Sequence, residues 1–220
     1  MKPILKIGFA AIAKFTAWIV LGLQVQGWEH LPTHGPAILI ANHNSHLDTF
    51  VLMALYPLTK VTCLRPVANE QYFLRRNPLL AWFARHVLDI IPVDCQSTVQ
   101  NSGPRRSSHR TFFQRCDEAI ARRQILILFP EGSRGQPENL SDFQSGIAHL
   151  AKRHSEVPIC PIYLEGLGKA LPKGDPLLVP FVCRATLSPP LYWSGNKQAF
   201  MTQIRDRLGR AGRSAADSRF

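Results

Sequence analysis

Short apolar runs alternate along the chain with segments in which apolar residues recur at helical spacing. This alternation of strands and helices predicts an α/β fold, a single-domain αβ sandwich around a largely parallel sheet. The run Ile-Leu-Ile-Leu-Phe at 125–129 is apolar throughout, which indicates a strand covered on both faces. The predicted strands are residues 37–41, 87–93, 125–129, 159–163 and 181–187, and the predicted helices are residues 49–55, 78–86, 111–123, 143–153 and 197–208.

The N-terminal residues are mostly apolar, with Lys6 and Lys14 as interruptions. Their longest clean apolar stretch is short of the ~20 residues that span a bilayer. We expect a membrane-associated helix in the cytoplasmic leaflet, with its lysines at anionic headgroups and with Trp18 and Trp28 near the interface. Two alternatives stay open: a helix packed on the domain, and one tilted span over residues 7–23.

Length and charge limit the rest of the organisation. A chain of 220 residues is long enough for one sizeable core, so we divide it into a helix at 1–28, one domain at 29–210 and a flexible basic tail at 211–220. The net charge of +11 indicates anionic partners. The arginines are spread in pairs and singles without a nucleic-acid motif, so no nucleic-acid partner is expected. The polar stretch 95–110 is predicted to be a mobile loop.

Five cysteines without a C-x-x-C spacing indicate neither a disulfide framework nor a cysteine zinc site. A reducing, cytosol-facing location follows. The cysteines are Cys63, Cys95, Cys116, Cys160 and Cys183.

The polar run after the first predicted strand contains the first candidates for chemistry. His43 and Asp48 lie five positions apart, and on a regular helix such positions point in different directions. The segment Ser-His-Leu-Asp at 45–48 has the form of a capping box, with Ser45 at the N-cap of the next helix. His43 then lies in a turn, from which its ring can reach the Asp48 carboxylate. Such a pair fixes the imidazole tautomer and leaves the other ring nitrogen as a general base.

Two other interpretations of this run stay open. Asp48 can cap a helix while His43 only fills a turn, and for an isolated match of this length that is the better interpretation. His43, His46 and Asp48 can also be ligands of an ion, but three ligands within six residues, without a supporting cluster, indicate a metal site only weakly. We therefore predict no metal, and we expect His46 to be a packing or exposed residue.

A second motif, Phe-Pro-Glu-Gly-Ser-Arg-Gly at 129–135, follows the most apolar strand. Parallel strands end at one edge of a sheet, where α/β folds bind their ligands, so this motif and His43 are expected to lie close together. Arg134 can bind a phosphate, Gly132 lets backbone amides approach an anion, and Glu131 can orient Arg134 or a substrate hydroxyl. An ordinary glycine-rich turn with a solvated arginine is the alternative.

The two motifs, taken in order, resemble those of the glycerolipid acyltransferases typified by 1-acylglycerol-3-phosphate acyltransferase. Two further segments are similar to segments of that family: Phe-Gln-Ser-Gly at 143–146, which opens a helix, and Val-Pro-Ile-Cys-Pro-Ile at 157–162, which forms a strand. The resemblance covers residues 27–191, essentially the whole domain.

The resemblance implies a membrane-associated enzyme of phospholipid biosynthesis at the cytoplasmic face of the inner membrane. It implies transfer of a fatty acyl group from acyl-CoA or acyl carrier protein, as co-substrate, to the hydroxyl of a lysophospholipid, with 1-acylglycerol-3-phosphate as the expected acceptor. His43 would remove the hydroxyl proton and Asp48 would orient its ring, with no metal or bound cofactor. The acceptor would be held by Glu131, Gly132, Ser133 and Arg134.

The chain departs from the family at one position. The family ends its second conserved strand with an arginine that contacts the acceptor phosphate, and this chain has Cys95 there. Either Arg105, Arg106 or Arg110 supplies the missing charge from the following loop, or the acceptor is a different lysolipid.

A thioester hydrolase and a non-enzymatic, basic membrane-binding protein are the rival functions. A histidine–aspartate pair can activate water instead of an acceptor hydroxyl. The sequence lacks the G-x-S-x-G elbow of serine esterases, which disfavours that class but not direct attack by water. The apolar N-terminal helix and the arginines suit an electrostatic membrane anchor, which is the second rival.

Overall fold

The structure is a computed structural model that describes residues 2–75, 77–93, 105–136, 139–171 and 178–217. These residues form helices on both faces of one sheet, and the predicted α/β class is confirmed. The strands are β1 (Gln24–Gln26), β2 (Ala37–Ala41), β3 (Leu64–Asn69), β4 (Ile91–Val93), β5 (Ile125–Leu128), β6 (Ile159–Glu165) and β7 (Arg184–Leu187). The α-helices are α1 (Lys2–Phe15), α2 (Asp48–Ala54), α3 (Pro78–Phe83), α4 (Arg105–Ala121), α5 (Gly146–Arg153), α6 (Leu167–Ala170) and α7 (Lys197–Asp217).

The strand order in the described part of the sheet is β1-β7-β6-β2-β5-β3-β4. Strands β6, β2, β5, β3 and β4 are parallel to one another. Strand β7 runs antiparallel to β6, and β1 pairs with β7 in parallel. Because β2 and β5 are parallel neighbours at the centre, the loops that follow them meet at the carboxyl edge of the sheet.

Successive residues of β2 point to opposite faces of the sheet, and all of them are buried. Leu39 packs into a core cluster with α1 and α2, whereas Ile38 packs into a second cluster with α4, α5 and α7. Strand β5 is buried at every position, as its continuous apolar run predicts. Layers on both faces therefore hold the central strands rigidly, and with them the carboxyl edge.

Three predicted strands correspond to β2, β5 and β6, and β7 forms the second half of a fourth. The prediction of a strand at 87–93 is wrong in its first half, because a π-helical turn occupies Ala84–Leu88 and β4 begins only at Ile91. Asp89 has a left-handed backbone, with φ 54°, and separates the turn from the strand.

The apolar pattern does not predict β1 or β3. Strand β1 has only three residues, and β3 contains Arg65 and Pro66, which are unusual inside a sheet. Strand β3 pairs with β5 as far as Pro66 and with β4 from Val67 onward, so the residue without an N–H lies where the pairing changes. Arg65 donates from Nε to the Asp89 carbonyl at 2.9 Å, which gives its side chain a partner beside the sheet.

The predicted helices correspond to α2, α3, α4, α5 and α7, with different ends. Helix α7 continues to Asp217, into the segment 211–220 for which a flexible tail is predicted. Its buried apolar side chains continue through Leu208 to Ala211, so packing on the sheet extends the helix. Helix α4 begins earlier than predicted, so the second part of the predicted loop 95–110 is helical.

The lysines of α1 point into the domain. Lys6 is buried and donates a hydrogen bond to the carbonyl of Leu64, at the start of β3. Lys14 donates to the carbonyls of Ala54 and Tyr56, each at 3.2 Å. The predicted contact of these lysines with headgroups is therefore wrong, because backbone carbonyls at the ends of neighbouring elements bind both ammonium groups. The alternative of a helix packed on the domain describes α1.

Trp18 and Trp28 lie beside each other near the end of the N-terminal helical segment. Their rings stack with centroids 6.1 Å apart, and Trp18 Nε1 donates to the Ala54 carbonyl at 3.5 Å. Trp28 is 43% exposed, so it is the ring of this pair that remains accessible to an interface.

The other side of α1 is apolar and exposed. Phe9 contacts the Phe83 ring edge-to-face, with centroids 5.1 Å apart, which joins α1 to α3. By length and composition alone the segment Pro3–Val20 can cross a membrane, a property that core helices and signal sequences share. We define the outer apolar face as the exposed side chains Ile4, Ile12, Phe15 and Ile19 of the N-terminal helical segment and Leu79 and Trp82 of α3.

The buried ammonium of Lys6 gives the domain a pH-dependent stability. Burial lowers the pKa of Lys6 from its ordinary value of 10.5 to about 8, although the nearby Asp89 opposes the shift. Between pH 8 and 10.5 the unfolded chain binds a proton that the folded chain does not, so the free energy of unfolding rises with pH. We expect the wild type to gain roughly 3 kcal/mol over this range relative to Lys6→Met, measured by chemical unfolding in detergent.

Lys14→Met is the matched control, because it removes the other lysine of α1 and keeps Lys6. This variant is expected to keep the rise in stability above pH 8. A Lys6→Met protein whose profile runs parallel to that of the wild type would show that Lys6 does not titrate in this range.

Candidate active site

His43 and Asp48 meet at the carboxyl edge of β2, as the spacing and the turn predict. His43 Nδ1 lies 2.8 Å from Asp48 Oδ2. The Asp48 side chain is fully buried, whereas that of His43 is 21% exposed. Since an ionised carboxylate can only accept, Nδ1 carries the proton and Nε2 is left as the basic nitrogen.

The turn between β2 and α2 closes around the Asp48 carboxylate. The amides of Asn44 and Ser45 donate to the same oxygen as His43, at 2.6 and 2.9 Å. Half of the predicted capping box is thus present, but Ser45 Oγ accepts from the N–H of Leu47, at 3.3 Å, and not from Asp48. The predicted N-cap at Ser45 is wrong, because α2 begins at Asp48 with Leu47 as its N-cap.

Burial and hydrogen bonding act in opposite directions on the Asp48 carboxyl group. Burial raises the pKa of Asp48, while His43 and the amides of Ser45 and Asn44 oppose the rise. Asp48 Oδ1 has no hydrogen-bond partner among the described residues. A buried carboxylate beside an imidazole is stabilised most when the imidazole is positive. An ionised Asp48 can therefore stabilise the positive charge that the imidazole gains when it accepts a proton as a general base.

Two asparagines fasten this turn to β6. Asn42 Oδ1 accepts from the Leu164 N–H at 2.7 Å, and Asn42 Nδ2 donates to the Leu164 carbonyl at 2.8 Å. Asn44 Nδ2 donates to the same carbonyl at 3.2 Å. The Asn42 side chain thus continues the β2–β6 ladder after the backbone has left the sheet, and it fixes where His43 begins the turn. Sequence spacing gives no sign of this role.

The second motif lies directly against His43, so the expected meeting of the two motifs is confirmed. The His43 ring stacks on the Phe129 ring with centroids 4.1 Å apart. Glu131 Oε1 accepts from the His43 N–H at 3.0 Å, and Oε2 accepts from the Ser141 N–H at 3.2 Å. The N–H of Gly135 donates to the His43 carbonyl at 3.0 Å.

Glu131 is a buried bridge between loops. Both of its oxygens accept backbone N–H groups, and it forms no ion pair with Arg134 in the described part of the chain. Glu131 therefore does not orient Arg134, because the amides of His43 and Ser141 already bind its carboxylate. A Cβ at Gly135 would lie 2.6 Å from Ser141 Oγ and 3.1 Å from Glu131 Oε2, so the loop closes this tightly only with glycine there.

A cavity of about 250 Å³ opens beside the His43 ring. Its polar wall contains His46, Asn69, Tyr72, Gly132, Ser133 and Arg134. Its apolar wall contains Pro66, Val67, Ala68, Phe73, Leu88, Ile90, Val93 and Phe129. The cavity therefore suits a ligand with one apolar and one anionic part. The wall built by β3 and the turn after it was not indicated by any sequence pattern.

Among the described arginines predicted to contact a phosphate, Arg134 is the one that lines the cavity. Arg110 is exposed on α4 and does not belong to the lining. Cys95 and the side chains of Arg105 and Arg106 lie outside the described residues.

The metal interpretation of the first motif gains no support from the geometry. His43 faces Asp48, whereas His46 Nε2 lies 3.2 Å from the hydroxyl of Tyr72. Within the described ranges, no three His, Cys, Asp or Glu side chains are grouped to hold an ion.

A second histidine–aspartate pair lies on the face of the sheet that α4 and α5 cover. His154 Nε2 is 2.7 Å from Asp117 Oδ1, and Arg153 forms an ion pair with the same carboxylate. Neither His154 nor Asp117 lines the cavity beside His43. Because no substrate-sized cavity described here includes this pair, we do not treat it as a candidate active site.

A histidine–aspartate pair lies at the end of the central parallel strand β2, and the buried Glu131 in the loop after the neighbouring β5 accepts from the His43 N–H. This is an α/β fold with a histidine that can activate a hydroxyl or a water. The chain belongs to the Acyltransferase family, whose sequence model matches residues 22–165. The family resemblance of the motifs is thereby confirmed.

Curated relatives are similar over most of this chain. A chloroplastic 1-acyl-sn-glycerol-3-phosphate acyltransferase of Brassica napus is 28% identical over 173 residues, which cover 78% of this chain and 45% of the relative. A 1-acyl-sn-glycerol-3-phosphate acyltransferase of Limnanthes douglasii is 30% identical over 191 residues, which cover 82% of this chain and 58% of the relative. The chain thus spans about half the length of these relatives.

A solved structure has the same fold. The crystal structure of the 1-acyl-sn-glycerophosphate acyltransferase PlsC from Thermotoga maritima matches with a TM-score of 0.73 and 20% identity. The match covers 97% of this chain and 80% of that chain.

The two asparagines provide a matched test of the attachment of the turn to β6. Asn42→Ala leaves the buried Leu164 N–H without its partner, whereas after Asn44→Ala the Leu164 carbonyl still accepts from Asn42. We expect Asn42→Ala to lower the free energy of unfolding by about 1–3 kcal/mol more than Asn44→Ala does. Chemical unfolding of both variants in the same detergent measures the difference, and equal losses would contradict the role of Asn42.

Proposed function

We propose that the protein is an acyltransferase that moves a fatty acyl group from acyl-CoA or acyl carrier protein to the free hydroxyl of a lysophospholipid. The proposed acceptor is 1-acylglycerol-3-phosphate, and the product is phosphatidate. The His43–Asp48 pair carries this proposal, because its basic nitrogen belongs to a ring that lines a cavity with Arg134 on the polar side. The names of two relatives that match most of this chain support the same reaction.

His43 acts as the general base. Its Nε2 takes the proton of the acceptor hydroxyl while that oxygen forms a bond to the carbonyl carbon of the thioester. Asp48 stabilises the resulting imidazolium through the Nδ1–H hydrogen bond. The tetrahedral intermediate then collapses, the carbon–sulfur bond breaks, and His43 returns the proton to the leaving thiolate. The acceptor attacks directly, so no acyl-enzyme is required.

The two walls of the cavity suit the two parts of the substrates. Arg134 has no hydrogen bond or ion pair within the described chain, so its N–H donors are available to a phosphate. The apolar wall suits a fatty acyl chain, because burial of methylene groups against apolar side chains is favourable. Glu131 keeps both loops in place during the reaction without contacting the reacting atoms.

Acyl transfer by the purified, detergent-solubilised protein tests the proposal. Labelled acyl-CoA and acyl carrier protein are offered with lysophosphatidate and with other lysolipids. We expect His43→Ala and Asp48→Asn each to lower kcat by at least about a hundredfold. Asp48→Asn keeps an oxygen that accepts from Asn44 and Ser45, so it removes the charge and preserves the turn.

His154→Ala is the matched control, since it breaks the other histidine–aspartate pair outside the cavity. It is expected to retain the wild-type rate. Release of free fatty acid that does not depend on an acceptor would identify a hydrolase instead. A wild-type protein with no His43-dependent chemistry on any donor or lysolipid would overturn the enzymatic proposal and leave the membrane-binding alternative.

We further propose that the protein lies on the cytoplasmic face of the membrane as a peripheral protein, with the outer apolar face inserted among the lipids. Ile4, Ile12 and Ile19 are 73, 67 and 68% exposed, which is unfavourable for apolar side chains in water. Lys6 and Lys14 hold α1 along the domain, which favours a helix lying on the membrane over one that crosses it.

A triple substitution of the outer apolar face tests this placement. Replacing Ile12, Phe15 and Ile19 with serine removes apolar area without touching a core contact of α1, so affinity for vesicles is expected to fall by at least about tenfold. Sedimentation with vesicles of phosphatidylglycerol and phosphatidylcholine measures the change. Tyr192→Ser, at an exposed residue near the amino end of β6, is the control. Unchanged binding of the triple variant would place the membrane contact elsewhere.

A further inference from the structure

We propose that Tyr72 and His46 position Arg134 at the mouth of the catalytic cavity, and that this arrangement makes the enzyme select acceptors that carry a phosphate. This role rests on the proposed acyl transfer. It assigns a function to Tyr72, which lies outside both motifs, and to His46, for which the sequence predicts only a packing or exposed position. Tyr72, His46 and Arg134 line the same polar wall of the cavity.

The guanidinium of Arg134 is located by an aromatic ring. Its Cζ lies 5.7 Å from the centroid of the Tyr72 ring, within the range of a cation–π contact. Since Arg134 has no hydrogen bond or ion pair in the described chain, this contact is what determines where the cation lies. A guanidinium with one face on a ring still presents the N–H donors of its edge, and that edge matches two oxygens of a phosphate.

Tyr72 is itself held both at its backbone and at its ring. At its backbone, Asn69 Oδ1 accepts from the N–H groups of Gln71 and Tyr72, at 2.9 and 3.2 Å, which anchors the turn to the end of β3. At its far end, the hydroxyl lies 3.2 Å from His46 Nε2, and the two ring centroids are 5.5 Å apart. Phe73 contacts the ring edge-to-face, with centroids 5.0 Å apart. Tyr72 therefore joins β3 to the catalytic turn after β2.

His46 contributes a neutral partner at this position. Partial burial at the cavity mouth and the positive charge of Arg134 lower the pKa of His46 below its ordinary value. The ring is therefore uncharged at physiological pH, so it binds the Tyr72 hydroxyl without repelling Arg134. Arg134 is then the one arginine or lysine among the described lining residues.

Because Arg134 is the one cation among the described lining residues, its position decides where a phosphate can bind on this wall. Where the family has an arginine, this chain has Cys95, and Arg134 is the phosphate-binding candidate that the described cavity wall contains. A guanidinium that is already positioned loses less conformational freedom when the phosphate binds. Removal of the ring is therefore expected to weaken binding of an anionic acceptor, while the chemical step at His43 continues.

The test compares two substitutions of Tyr72 on two acceptors, lysophosphatidate and a monoacylglycerol with the same acyl chain. Tyr72→Leu removes the ring, and its KM for lysophosphatidate is expected to rise by about threefold to tenfold, with kcat within about twofold of the wild type. Tyr72→Phe keeps the ring and is expected to stay within about twofold of the wild-type KM. The monoacylglycerol has no phosphate, so neither variant is expected to change its kinetics.

The role of His46 is tested by the same comparison. His46→Leu and Tyr72→Phe remove the same hydrogen bond, so we expect their small effects on KM to be equal and not to add when both are combined. Tyr192→Leu is the control, because this exposed tyrosine lies near the amino end of β6, away from the catalytic edge.

Equilibrium binding separates failure of this inference from failure of the proposed reaction. In the His43→Ala background, the Kd for lysophosphatidate is expected to rise with Tyr72→Leu and the Kd for the monoacylglycerol to stay constant. Three outcomes would overturn the inference. They are an equal loss of affinity for both acceptors, an equal loss of affinity for lysophosphatidate in Tyr72→Phe and Tyr72→Leu, and an unchanged Kd for lysophosphatidate in every variant. A wild type that transfers no acyl group to any lysolipid would refute the proposed reaction, and the binding ratio would still decide whether Tyr72 positions a phosphate-binding arginine.

Discussion

One buried carboxylate oxygen, Oδ2 of Asp48, accepts three N–H groups, and the geometry of the site depends on it. Two of these donors are backbone amides, and the third is the imidazole of His43. The turn cannot open without leaving a buried negative charge short of partners, a change that costs several kcal/mol. The conformation of the turn and the direction of the imidazole are therefore set by the same contact. A longer or more exposed acidic side chain would not link them in this way.

The buried carboxylate of Glu131 holds the neighbouring loop in place by accepting backbone N–H groups, as Asp48 holds the turn. Both bind backbone amides, whose positions follow from the central strands rather than from flexible side chains. The position of His43 is therefore fixed by the buried strands β2 and β5 and by the carboxylates of Asp48 and Glu131. Arg134 lacks such an anchor and depends on the Tyr72 ring, so the cation is the least constrained part of the site.

The sequence identifies the parts of this structure that follow from local patterns. Continuous apolar runs mark β2 and β5, and the polar residues just after them mark His43, Asp48 and the Glu-Gly-Ser-Arg loop. Residues whose roles depend on distant partners leave no such pattern. Tyr72 follows a strand that contains Arg65 and Pro66, and its partner His46 comes from another loop. Likewise, apolar periodicity cannot show that Lys6 turns inward, because the carbonyl that binds it belongs to a strand far along the chain.

The N-terminal segment has the apolar composition of a membrane anchor, yet the strand that ends it pairs with the sheet of the domain. Immediately after the helical segment, β1 pairs with β7, and the amide of Cys183 donates to the carbonyl of Leu21. Removal of residues 1–28, a common step when a soluble fragment is wanted, would take β1 from β7 and make β7 the edge of the sheet in place of the three-residue β1. Unpaired edge strands pair with other chains, so the shortened protein would be expected to aggregate even after its apolar helix is gone. Solubility of this protein is better sought by changing the exposed side of the helix than by cutting the helix away.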